Sequence, residues 1–142
     1  MANGPVFPRV HAMIVCDRVA RADQEGKVHN LTGARTEIRA SSFPYSHPQL
    51  WVYLQSTGHS GVTSYRLALT AAGADAELLS TAEHEVEFHG PLEVIVLARR
   101  IRNCTFPRPG LYYVQAYFGD KLVNERLLVL SEGTVLGNGE GS

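Results

Sequence analysis

The sequence predicts an all-β protein: an antiparallel, immunoglobulin-like β-sandwich of about eight strands, with a small closed β-barrel as the alternative. Three observations predict it. Apolar and polar residues alternate at a period of two in segment after segment, as in half-buried strands. Turn residues interrupt these segments about every ten residues, with no strand–helix–strand rhythm. The 142 residues are 44% hydrophobic and 19% charged, which suits one globular domain that buries its core without a disulfide or metal. The domain is expected over residues 1–130, followed by a glycine-rich tail over 131–142.

The elements follow in order. Val10 to Cys16 reads as a strand, and Lys27 to Arg39 as two more around Gly33. In Leu50 to Thr57, Leu50, Val52 and Leu54 alternate with Trp51, Tyr53 and Gln55. The loop Thr57–Gly61 leads to Val62–Ala71, where Tyr65, Leu67 and Leu69 share a face. Ala74–Glu83 holds good helix formers, but Gly73 and the flanking strands favour a strand or turn. Val86 and Phe88 alternate with Glu85, Glu87 and His89. Leu92 to Ile101 is a strand whose run Val94–Ala98 is apolar on both faces. Phe106-Pro107-Arg108-Pro109-Gly110 is a stiff turn. Leu111–Phe118 and Lys121–Leu130 then form a hairpin about Gly119-Asp120, with a bulge expected near Asn124-Glu125-Arg126.

Thirteen Lys and Arg against fourteen Asp and Glu leave a net charge of −1, which argues against nucleic acid as a partner. No apolar run approaches membrane-spanning length, so no membrane is expected either. Met1–Pro5 has neither a basic nor an apolar export region, and the reading places the protein in the cytoplasm. Cys16 and Cys104 are then expected as reduced, buried thiols and not as a disulfide.

Three short motifs occur in order: Cys16-Asp17-Arg18, Ser42-Phe43-Pro44, and Phe106-Pro107 followed by Pro109-Gly110-Leu111-Tyr112. In these the chain resembles, over roughly Val10 to Leu130, a family of small bacterial proteins called domain of unknown function 6941. The resemblance implies a compact β domain from a bacterial cytoplasm. It brings no activity, cofactor or catalytic residue.

The residues themselves give little catalytic signal. His84 and His89 are five apart, which fits neither a zinc-binding helix face nor one face of a strand. Glu85, Glu87 and His89 share a strand face that solvent is expected to cover. His59-Ser60 lacks a third group and an oxyanion site. Cys16 ends an apolar strand, which favours an inert thiol, with Asp17 and Arg18 as a structural contact. Arg100 and Arg102 share a face, and this charged strand end discourages edge pairing. No phosphate loop, cofactor motif or metal-ligand spacing is readable, so neither cofactor nor metal is expected.

The strongest signal is aromatic. If Leu50, Val52 and Leu54 face the core, Trp51 and Tyr53 face outward; if Tyr112, Val114, Ala116 and Phe118 face the core, Tyr113 and Tyr117 face outward. Large outward rings suit an association surface. The sequence therefore points to a non-catalytic interaction module, a homo-oligomer or one that docks on a protein partner. The alternative is a small metal-dependent or hydrolytic enzyme built on scattered His and Glu residues.

Overall fold

A computed structural model describes residues 7–133. Ten strands form among them: β1 (Arg9–Arg21), β2 (His29–Ala34), β3 (Glu37–Ala40), β4 (Tyr45–Thr57), β5 (Ser60–Ala71), β6 (Leu79–Ser80), β7 (His84–His89), β8 (Ile95–Phe106), β9 (Gly110–Phe118) and β10 (Lys121–Glu132). The first sheet has the order β2-β1-β4-β8; the second runs β3-β10-β9-β5-β6, with β7 also paired to β5. No ladder joins the sheets among the described residues, so the chain is a two-sheet β-sandwich and not a closed barrel.

The period of two builds the core. Val15, Leu50, Val52 and Leu54 meet Leu67, Leu69, Val114 and Leu128 between the sheets, all at most 4% exposed. Burying each such side chain contributes about 1.5–3 kcal/mol. A second cluster closes one end, where Phe118 touches Tyr65 and Phe88 with ring centroids 6.2 and 6.3 Å away.

The prolines of the Phe106–Gly110 turn carry the chain from the first sheet to the second. Tyr112 fastens this crossing. Its hydroxyl donates to the Arg108 carbonyl and accepts from the Arg108 N–H at 3.1 Å, while its ring meets Phe106 edge-on at 5.0 Å. This is a tyrosine corner, in which a strand-entry tyrosine bonds back to the backbone it has just left.

Several boundaries differ from those the sequence suggests. Pairing with β4 runs from Ile95↔Ser56 to Phe106↔Tyr45, so β8 starts later and ends later than Leu92–Ile101. Leu92 stays in the preceding loop, 92% exposed. The break between β2 and β3 falls at Arg35-Thr36; Gly33 lies inside β2. Ala74–Glu83 holds bends and the short β6, and no helix. The β10 bulge sits between Leu122 and Asn124, slightly before the expected place. β3 pairs with β10 in parallel, the one parallel ladder among the described residues. That ladder carries β10 through Ser131 and Glu132, which the sequence assigned to the tail. Residues 134–142 of that tail lie outside the described residues.

Candidate functional site

The four rings of the sequence reading occupy outer sheet faces, as alternation requires, but they do not form one patch. Trp51 and Tyr53 lie on the first sheet, Tyr113 and Tyr117 on the second. The two pairs are on opposite sides of the sandwich.

Tyr53 is covered by its own chain. It is 8% exposed and clusters with Cys16 and Val19 of β1, Leu31 of β2, and Val96 and Ala98 of β8. The His29 ring of β2 meets it edge-on at 5.7 Å. Its hydroxyl accepts from Gln55 at 2.8 Å. The β1–β2 hairpin supplies this cover, which a local alternation rule does not register. Trp51 is half-buried in the same cluster, with the exposed Arg100 guanidinium 5.8 Å from its ring.

The outer face of the second sheet divides into a polar and an apolar half. At the polar half, Arg66 of β5 stacks 4.1 Å over Tyr117 and bonds Glu77. Gln115 there donates to Glu125 at 3.1 Å. At the other half, cross-strand pairs Tyr113↔Leu127 and Leu111↔Val129 set four apolar side chains together. Leu111 is 48% and Leu127 44% exposed, while Tyr113 and Val129 are half-buried. Leu111 and Leu127 were not singled out from sequence. The rhythm that turns Tyr113 outward also turns Leu111 outward. Leu127 carries no such local signal, because Leu127 to Leu130 are all apolar and only the pairing with β9 fixes which of them face solvent.

A polar group gathers residues of the sequence motifs. Asp17 and Arg35 form a bidentate ion pair, so the aspartate's partner is Arg35 and not its neighbour Arg18. Tyr45 Oη lies 3.0 Å from His47 Nδ1. Burial, reinforced by the Arg35 charge, holds His47 below the ordinary imidazole value, with Asp17 acting the other way. Tyr45 pairs with Phe106 and His47 with Cys104 across β4 and β8. The Cys16-Asp17, Ser42-Phe43-Pro44 and Phe106–Tyr112 segments thus meet around one end of the sandwich. Asp17 is engaged by Arg35, Phe43 packs on the main core, and Phe106 and Tyr112 pack ring to ring.

The remaining candidates are dispersed. His89 contacts Glu93 at 3.1 Å and Glu87 at 3.9 Å. His84 lies beside Tyr65, and His59 meets Phe88 edge-on at 5.6 Å. Among the described residues, no three His, Cys, Asp or Glu side chains come together as a metal site. Cys16 and Cys104 are free and buried, in separate clusters. Burial pushes Cys104 up to about 11 and raises Cys16 as well. No helix among the described residues is long and apolar enough to cross a membrane.

Fold and surface define a two-sheet β-sandwich with an exposed apolar half-face on its second sheet. Residues 11–130 match the model of a family of unknown function, DUF6941, and the chain belongs to that family. Among curated proteins none matches the chain. Similar solved structures include a β-glucosidase from Listeria innocua in complex with gluconolactone, with TM-score 0.53, 12% identity, and 93% of this chain covered against 16% of the enzyme. A β-glucosidase from Erythrobacter marinus is similar at TM-score 0.52 and 13% identity, with 88% of this chain and 15% of the enzyme covered. The chain thus spans about one-sixth of the length of these enzymes. At such identities the likeness is one of fold alone.

Proposed function

We propose that this chain is a non-catalytic β-sandwich interaction module that pairs with a second copy of itself through the outer face of the second sheet. The observation that carries this reading is the uncharged group Leu111, Tyr113, Leu127 and Val129, paired side by side with two leucines 40–50% exposed. Contiguous exposed apolar side chains mark association surfaces, whereas single ones do not. A two-fold interface must be complementary to itself. An uncharged centre meets that requirement. So does a rim of both signs, which Glu37 and Arg39 of β3, Arg66 of β5 and Glu125 of β10 supply around it.

The tyrosine corner at Tyr112 supports the immunoglobulin-like reading of the sandwich. Two buried free thiols suit a reducing compartment, and the cytoplasmic address stays part of the proposal.

Light scattering across a concentration series tests the pairing. Wild-type protein should be dimeric, and Tyr113→Ser with Leu127→Ser should be monomeric with an unchanged circular dichroism spectrum. Trp51→Ser, on the opposite sheet, should leave the dimer intact. A monomeric wild type at high concentration overturns the reading.

A further inference from the structure

Among the described residues, two half-strands without a second neighbour face each other along one side of the sandwich. Among these residues, β1 pairs with β4 alone from Arg9 to Val15, because its ladder with β2 begins at Cys16. Among the same residues, β10 pairs with β9 alone from Lys121 to Leu128, because its ladder with β3 begins at Val129. Arg126 bridges the seam by donating from Nε to the Met13 carbonyl at 2.9 Å. The Arg35 N–H takes the Val15 carbonyl at 2.8 Å. The Arg9–Ala12 stretch of the β1 edge is left beside a cleft of about 660 Å³.

The lining of the cleft mixes cationic and apolar side chains, with Lys121 Nζ 5.6 Å from the centre of the Phe7 ring. Arg9, His11 and Lys121 line it with Phe7, Val10 and Val123, and no carboxylate does. Among the described residues, Arg9, Lys121 and Arg126 form no ion pair. In a chain of net charge −1, the positive charge here is local. An unpaired strand edge invites another strand, and alternate side chains of that strand then meet the lining. A second copy would bring the same cationic edge, and like charges disfavour that pairing.

We propose that this seam takes an extended acidic peptide, added as a strand to the Arg9–Ala12 edge with its carboxylates toward Arg9 and Lys121. The site lies apart from the Leu111–Val129 face, so either reading can fail alone.

Fluorescence anisotropy with a labelled peptide of alternating Glu and Val tests this on the full chain. The peptide should bind one-to-one and weaken in high salt. Arg9→Gln with Lys121→Gln should weaken it about ten-fold with an unchanged melting curve. N-methylation of alternate peptide amides should abolish binding to the wild type, since it removes ladder hydrogen bonds. No binding below about 1 mM overturns the proposal. So does equal binding of a control peptide of alternating Lys and Val, undiminished binding of the N-methylated one, or displacement of the peptide by millimolar inorganic phosphate alone.

Discussion

Gly33 lies directly on the Asp17 carboxylate: a Cβ at residue 33 would stand 2.2 Å from Asp17 Oδ2. The glycine also holds φ at +69°, a region that side chains with a Cβ disfavour. Its bareness lets the carboxylate reach Arg35, two residues on and just past the end of β2.

Gly33→Ala should therefore destabilise the protein by about 2–3 kcal/mol, from backbone strain plus the broken ion pair. In an Asp17→Ala background the same change should cost only about 1 kcal/mol, because the strain alone remains. Urea unfolding of the four proteins in the cycle measures both. Equal costs in the two backgrounds would refute the contact.

The tyrosine corner gives a second expectation. Tyr112→Phe keeps the ring against Phe106 and removes the two hydrogen bonds to Arg108. The loss should be about 1–2 kcal/mol in urea unfolding. An unchanged midpoint would mean that the turn is held by its prolines alone.

His47 sets a pH dependence. Burial and the nearby Arg35 lower its pKa below 6.5, so the folded state favours the neutral ring. The unfolded chain takes up the proton first as the pH falls. Stability from this group is complete above pH 6.5 and declines as the pH drops through the lower folded value. His47→Gln should flatten the fall of the urea midpoint between about pH 7 and pH 5. A variant that follows the wild-type curve would exclude His47 as its source.

The thiols are expected to be silent until the protein unfolds. Burial raises both, Cys104 to about 11, and the thiolate is the reactive form. A chromogenic disulfide reagent at neutral pH should therefore label neither thiol in the native state and both in denaturant. Rapid native labelling of Cys16 would contradict its burial.

Much of the fold is legible because strands announce themselves locally. Tyr112, Val114, Ala116 and Phe118 turn inward simply because their neighbours turn outward. The same rule fails at Leu127–Leu130, where every residue is apolar and no polar partner marks the phase. It also fails at Tyr53, whose outward position says nothing of a hairpin that covers it. The Asp17–Arg35 pair lay out of reach because the partners are 18 residues apart, joined only when β2 folds onto β1.

The sequence alone settled the all-β class, the two-residue rhythm of the central strands and the hairpin at Gly119-Asp120, since each is a property of a few consecutive residues. The tertiary structure decided which outward rings stay exposed, which apolar neighbours join Tyr113, and where, among the described residues, β1 and β10 pair on one side only. These depend on which strand lies beside which, and that is a matter of contacts between residues far apart in the chain.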